Sequence, residues 1–259
     1  MSGYRLLLLD LDGTLLGRDG RISPRVANAV RWASERLTVS IATGREIKDV
    51  RHFASELGLT APQICDNGAL ILDPTTGNPL FTWPLGDGPS SAVTERLLAL
   101  GTDYIATHPG VTLRPSSGRW VEGLVRISAL DLPEGDADLL VNEFAGNADL
   151  EVMKAYLPYN GLWAVDFTHA GVNKGTAARW VQERTGANVA QTIAAGDSYN
   201  DVPLFRASGH RIAMADAPEE LKAMATFVAP SVDEDGLAVA IENFAVPLIG
   251  APYGDRLAE

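Results

Sequence analysis

Short apolar runs and helix-period patterns take turns along both ends of this chain. Arg5 to Leu9 is an apolar run closed by an acid, the pattern of a buried strand. Ser23-Pro24 has the form of a helix N-cap followed by a first-turn proline, and Val26, Val30, Ala33 and Leu37 follow at helical spacing. Thr38 to Ala42 reads as a second strand. Ile47, Val50, Phe53 and Leu57 mark a second helix that Gly58 is suited to stop. Gln63 to Cys65 is short and strand-like. The last third repeats the rhythm: helix over Lys174 to Arg184, strand over Thr192 to Ala195, short helix over Asp201 to Ala207, strand near Arg211 to Met214. Pro218 to Met224 reads as helix, Phe227 to Ala229 as extended chain and Gly236 to Phe244 as helix. Strands alternating with helices predict a doubly wound parallel sheet.

The middle breaks the pattern. Asp73-Pro74-Thr75-Thr76-Gly77-Asn78 has hairpin-turn composition, and from about Trp83 to Phe167 the signals are mixed and interrupted by Gly and Pro. This stretch is expected to be an inserted α+β domain, dividing the chain into residues 1–82, 83–168 and 169–259. It holds five Lys/Arg against twelve acids, a balance of −7 within a whole-chain charge of −12.

Composition narrows the setting. At 259 residues, 46% hydrophobic and 21% charged, the chain has an ordinary soluble makeup. No apolar run approaches the ~18 residues that span a bilayer. One cysteine, Cys65, rules out an internal disulfide, and no secretory signal pattern opens the sequence, so the cytoplasm is the expected location. The acidic balance argues against nucleic-acid and membrane partners. It also means that any bound anion needs a metal ion or a few placed cations to neutralise it.

Four polar clusters fall at strand ends or helix starts. Asp10-Leu11-Asp12-Gly13-Thr14 places two carboxylates after the first strand, where open α/β sheets bind ligands. A carboxylate there can ligate magnesium or attack phosphorus; the second can move a proton. The alternative is a turn with solvated acids. Thr43-Gly44-Arg45 offers a hydroxyl and free backbone N–H groups to a phosphoryl oxygen, or else Thr43 simply caps a helix. Asn173-Lys174-Gly175 puts a lysine at a helix start, against the helix dipole, where it could neutralise a transferred phosphoryl group; otherwise it is a surface lysine. In Gly196-Asp197-Ser198-Tyr199-Asn200-Asp201, Asp197 could complete a magnesium site while Asn200 and Asp201 hold the lysine and the metal shell, or the segment is a capped helix start. The order acid pair, hydroxyl, lysine, acid pair within one α/β alternation favours chemistry over four unrelated loops.

In that order and spacing the chain resembles the haloacid dehalogenase superfamily. The insertion between the hydroxyl and lysine motifs, with Asp66-Asn67-Gly68-Ala69, Ile212 to Ala217 and Asp233 to Ala238, is similar to the Cof-type and sucrose-phosphatase-like subclass. The resemblance implies a phosphatase core with a cap domain, Asp10 as nucleophile and Asp12 as general acid/base. It implies Mg2+ held by Asp10, the Asp12 backbone carbonyl and Asp197. Thr43 and Lys174 would bind the phosphoryl group, with Gly44, Arg45 and Asn200 in the substrate-binding set and Ser198 and Asp201 in support. Two departures stand out: Ala215-Asp216 replaces the usual Gly-Asn, and Ser198 follows Asp197 where glycine is common.

The expected substrate is a small phosphate ester, a sugar phosphate or glycosyl-phosphoglycerate, with phosphoglycolate as a smaller alternative. An acidic insertion with three of the five tryptophans, Trp83, Trp120 and Trp163, suits hydroxyls better than a second phosphate. Arg114 and Arg119, flanking a turn at Pro115 to Gly118, are candidates for a carboxylate. The competing expectation is that the tryptophans are core and the arginines solvated, with His108 and His169 structural. A phosphomutase or phosphotransferase would carry the same motifs; a non-catalytic metabolite binder would have no need of them. Oligomeric state is open.

Overall fold

A computed structural model describes residues 3–109, 111–114, 122–157 and 160–245. The central sheet is parallel, in the order β13-β12-β11-β1-β2. Its strands are β1 (Leu6–Leu9), β2 (Thr38–Ile41), β11 (Thr192–Gly196), β12 (His210–Ala213) and β13 (Phe227–Val228). The apolar run of β1 is explained by burial on both faces. Leu7 and Leu9 pack with α1 (Pro24–Ser34), α2 (Ile47–Leu57) and α8 (Gly236–Ala240). Leu6 and Leu8 pack on the other side with α5 (Lys174–Thr185), α6 (Val202–Arg206) and α7 (Glu219–Met224). A central parallel strand therefore needs no polar face.

The predicted stops and starts hold in α1 and α2. The Ser23 side chain accepts from Val26 N with Pro24 at the first helical position, and Gly58 closes α2 in the left-handed conformation at φ 71°. One element differs. Gln63–Cys65 (β3) does not extend the parallel sheet; it pairs antiparallel with β4 (Leu70–Leu72), which pairs with β5 (Pro79–Thr82). The chain reverses at Asp66 and Asn67, both at positive φ, so only Ala42 and Ile64 make a parallel bridge to the main sheet's end. The turn at Asp73 to Asn78 forms, closed by Asp73 N donating to Asn78 O at 2.9 Å. The last helix covers the expected stretch, α-helical over Gly236–Ala240 and π-helical over Ile241–Ala245.

The inserted segment forms a separate antiparallel sheet, ordered β7-β6-β8-β10-β9. Its strands are β6 (Tyr104–His108), β7 (Val111–Leu113), β8 (Arg126–Leu132), β9 (Leu150–Leu157) and β10 (Leu162–His169). One face, carrying Ile127, Ala129, Val165 and Phe167, is sealed by α3 (Asp87–Leu100) and α4 (Glu134–Phe144). The alternate positions Arg126, Ser128, Asp166 and Thr168 are polar and buried as well. That second face turns toward the parallel sheet, and β9 packs over Tyr199–Asp201. The turn at Pro115 to Gly118, Arg119 and Trp120 lie outside the described residues.

Candidate active site

Three strand ends meet at one point. Asp10 follows β1, Thr43 follows β2 by one bridge residue, and Asp197 follows β11, all at C-terminal ends of neighbouring parallel strands. Lys174 enters from the first turn of α5, whose N-cap Asn173 accepts from Gly175 N and Thr176 N. The lysine is fully buried, and its Nζ donates to Asp10 Oδ1 at 2.5 Å and Asp201 Oδ1 at 2.7 Å. A buried ammonium at a helix start is unfavourable alone; here two carboxylates meet it. It is not a surface lysine.

Asp201 is a buttress. Its second oxygen accepts from Asp197 N at 3.0 Å and Ser198 N at 3.1 Å, and Ser198 returns the contact in a capping box. Both Asp201 oxygens are thus occupied. Asp197 differs: its Oδ1 is buried with no hydrogen-bond partner among the described residues. Oxygens of Asp10, Asp197 and Asp201 lie within 4.8 Å of one another. Gly13 makes this approach possible. It sits at φ 78°, and a Cβ there would collide with the Asp197 carboxylate.

Electrostatics follow from crowding. Burial, then the charge of Asp201, pushes Asp10 up to about 7, with Lys174 pulling the other way. Burial, then Asp10 and Asp201, lifts Asp197 well above the carboxylate range. For Lys174, burial works to lower the pKa, but the two carboxylates outweigh it and keep the amine charged. Among the described residues Asp10 and Asp201 pair with Lys174 and Asp12 with Arg45, while Asp197 has no ion pair, so four carboxylates share two cations. An all-oxygen cluster with an orphaned carboxylate oxygen and that excess fits a hard divalent cation.

Asp12 stands apart from the cluster. Its two oxygens accept from Arg45 Nη2 at 2.7 Å and Nε at 2.9 Å, and Arg45 Nη1 also reaches Asp49 at 3.2 Å. Thr43 does not cap α2, whose N-cap is Glu46; its buried hydroxyl accepts from Arg45 N at 3.1 Å. Gly44 lies against the Asn67 carboxamide, where a Cβ would be 3.1 Å from Nδ2. Asn200 does not hold the lysine. Its Nδ2 donates to Asn67 Oδ1 at 3.1 Å, and its Oδ1 is buried and unpartnered among the described residues. Asp216 lies 3.9 Å from Arg18, which pairs with Asp233 at 3.0 Å, so a cation accompanies the acid in the unusual Ala-Asp position.

The sequence reading passed over Arg126 and Asp166, which bind Asp66 and Asn67 beside the site. A charged residue within each apolar run, Leu124-Val125-Arg126-Ile127 and Ala164-Val165-Asp166-Phe167, is the signal the sequence carries. Of the tryptophans, Trp83 packs under the second sheet against Ala69, Val125 and Val172, and Trp163 lies against the apolar cluster of that sheet with Lys154 over its ring. Neither forms an open sugar platform. Arg114 is exposed, and His169 is exposed with Nδ1 near Ala170 O.

The chain is similar to known proteins in sequence and in fold. Residues 7–104 and 135–241 match the haloacid dehalogenase-like hydrolase family. The chain is 30% identical over 238 residues to the phosphoglycolate phosphatase of Archaeoglobus fulgidus, covering 92% of this chain and 96% of that one. It is 26% identical over 260 residues to a 5-amino-6-(5-phospho-D-ribitylamino)uracil phosphatase of Bacillus subtilis, with 93% and 96% covered. A haloacid dehalogenase-like hydrolase from B. subtilis superposes with a TM-score of 0.83 at 21% identity, covering 93% of this chain and 99% of that one. A subclass IIB sugar phosphatase superposes at 0.80 and 20% identity, with 93% and 99% covered. Matched span, relatives and fold together make this chain a member of the haloacid dehalogenase-like hydrolase family, and a phosphatase within it.

Proposed function

We propose that this phosphatase hydrolyses the phosphomonoester of a small metabolite through an aspartyl-phosphate on Asp10. The observation that carries the reading is the buried Asp10–Lys174–Asp201 pairing at the end of β1, beside the partnerless Asp197 oxygen. Lys174 holds Asp10 in one orientation and supplies the charge that a developing phosphoryl oxyanion requires. The Thr43 hydroxyl and the backbone N–H groups at Gly44 and Arg45 are the further donors for that anion. Asp10 attacks phosphorus and the leaving oxygen departs with a proton from Asp12; Asp12 then takes a proton from the water that splits the acyl phosphate. Arg45 grips both Asp12 oxygens, so this role requires the guanidinium to shift, and Asp49 offers it a second partner.

Mg2+ is the cation proposed for the cluster. Asp10, Asp197 and the Asp12 carbonyl would hold it, and when bound it supplies positive charge against the phosphoryl oxygens. The sheet over Tyr199–Asp201 would act as the cap domain, residues 83–168, shielding the phosphoenzyme from water. Its acidic balance supports a hydroxyl-rich leaving group, a sugar phosphate or glycosyl-phosphoglycerate, ahead of phosphoglycolate. Among the described residues no helix is long and apolar enough to cross a membrane, and the lone Cys65 is buried and free; a cytoplasmic setting accords with both. Phosphate release from a panel that includes sugar phosphates, phosphoglycolate and ribityl phosphates tests the reading. Magnesium-dependent release by wild type, abolished in Asp10→Asn, is expected. Release unchanged in that variant contradicts it.

A further inference from the structure

A second buried polar assembly lies beside the site, and none of the chemistry above uses it. Arg126, on β8, meets Asp66 Oδ1 through Nη2 at 3.0 Å and Nε at 3.1 Å, and its Nη1 donates to Asp166 Oδ1 at 3.0 Å. The other Asp166 oxygen accepts from Asn67 Nδ2 at 2.5 Å. Asn67 Oδ1 in turn accepts from Asn200 Nδ2 at 3.1 Å. Arg126 and Asp166 belong to the second sheet, Asp66 and Asn67 to the turn after β3, and Asn200 to the loop that carries Asp197 and Asp201. Arg126, Asp66, Asn67 and Asp166 are all buried. Buried ion groups are a poor source of net stability compared with apolar packing, so their use here calls for a geometric return.

Polarity supplies it. A guanidinium only donates and a carboxylate only accepts, whereas a carboxamide has one end of each kind. Arg126 fixes Asp166 in place as an acceptor. Asp166 then decides which end of Asn67 faces it, namely Nδ2. Asn67 must present Oδ1 to Asn200, and Asn200 must donate Nδ2. Flipping either amide would set two donors or two acceptors face to face. The end left over is Asn200 Oδ1, the buried oxygen with no partner among the described residues. Asn67 is also anchored at the phosphoryl-binding strand end, where its N–H donates to Thr43 O at 2.9 Å.

We propose that Arg126, Asp166 and Asn67 are positioning residues, a donor–acceptor relay through which the seating of the second sheet sets the orientation of the Asn200 carboxamide in the catalytic loop. The relay's effect on turnover rests on the phosphatase reading; its effect on Asn200 does not.

Reversing the polarity tests it. Asn67→Asp and Asp166→Asn each place like groups in opposition, while the double variant exchanges donor for acceptor and restores the sequence of bonds at unchanged net charge. Aspartate tolerates the positive φ of 53° at position 67, so the turn is retained. In selectively 15N-asparagine-labelled protein, the two Asn200 carboxamide protons are expected well separated in wild type, shifted toward the free-amide position in Asp166→Asn, where Asn67 must turn its other end to Asn200, and returned in the double; Asn67→Asp keeps an acceptor facing Asn200 and leaves them in place. The kcat/KM per folded enzyme should fall roughly tenfold in Asp166→Asn and recover to within about twofold in the double. Should Asp166→Asn unfold alone, Asp166→Ala, which removes the acceptor that fixes the Asn67 amide, carries the comparison. Unmoved Asn200 signals in Asp166→Asn, or a double variant no better than that single variant, overturn the relay. Restored Asn200 signals without any phosphate release by wild type leave the relay standing and remove the phosphatase reading. Turnover with unmoved signals does the reverse.

Discussion

Asp10 shows how a single position acquires chemistry. Two carboxylates and an ammonium crowd it in a buried pocket, and burial dominates, so its proton is held to about 7. Asp66, buried but opposed by Arg126, is held to about 6. Both lie above the ordinary 3.8, so between about pH 4 and 7 the folded state binds more protons than the unfolded one. Their contribution to stability is therefore fully present below pH 4 and is lost as pH rises through 6 and 7. Denaturant titrations of metal-free protein should show unfolding free energy falling across that window. Divalent metal should flatten the upper part, since it competes with the proton at Asp10, and leave the Asp66 part in place; a rise with pH would contradict the assignment. Metal affinity should correspondingly weaken as pH drops below about 7. Asp197→Ala should sharply raise the metal concentration needed for half-maximal turnover. Lys174→Met strands two buried carboxylates, and chemical denaturation should register a loss of about 3–5 kcal/mol together with activity.

At the scale of elements, the turn after β1 is the sensitive one. Gly13→Ala forces a side chain into a left-handed residue and into Asp197, so calorimetry should show divalent-metal binding lost while the far-ultraviolet spectrum stays that of the wild type. Metal binding at wild-type affinity would show that this loop can rearrange. The parallel elements were legible because their information is local: Leu6 to Leu9 continuous for a doubly buried strand, Ser23-Pro24 for a start, Gly58 for a stop. The place of β3 was not. Three residues of buried strand look alike in either sheet, and what decides is the pair of positive φ values at Asp66 and Asn67, a backbone feature set by contacts across the fold. Arg126 and Asp166 were hidden for a related reason. Their strands alternate properly, but with both faces buried, the polar face makes sense only once Asp66, 60 residues earlier, and Asn67, 99 residues earlier, stand opposite.

Across the whole molecule, the four motifs converge because one parallel sheet puts its strand ends together, and their grouping could be read from order alone. Their partnerships could not: Asp12 with Arg45 rather than the acidic cluster, Asn200 with Asn67 rather than Lys174. The second sheet has its own apolar core, closed by α3 and α4 around Phe167 and Phe144. Phe167→Ala should cost about 3–5 kcal/mol in that sheet and reach turnover only through the polar face that covers the site. The proposed chemistry centres on Asp10 as nucleophile. The most direct measurement is to quench the enzyme in acid during turnover of its best substrate, reduce with borohydride, and map the peptides by mass. An aspartyl-phosphate predicts homoserine at residue 10 in wild type and none in Asp10→Asn. Phosphate release with residue 10 unreduced, or reduction at another carboxylate, would contradict it.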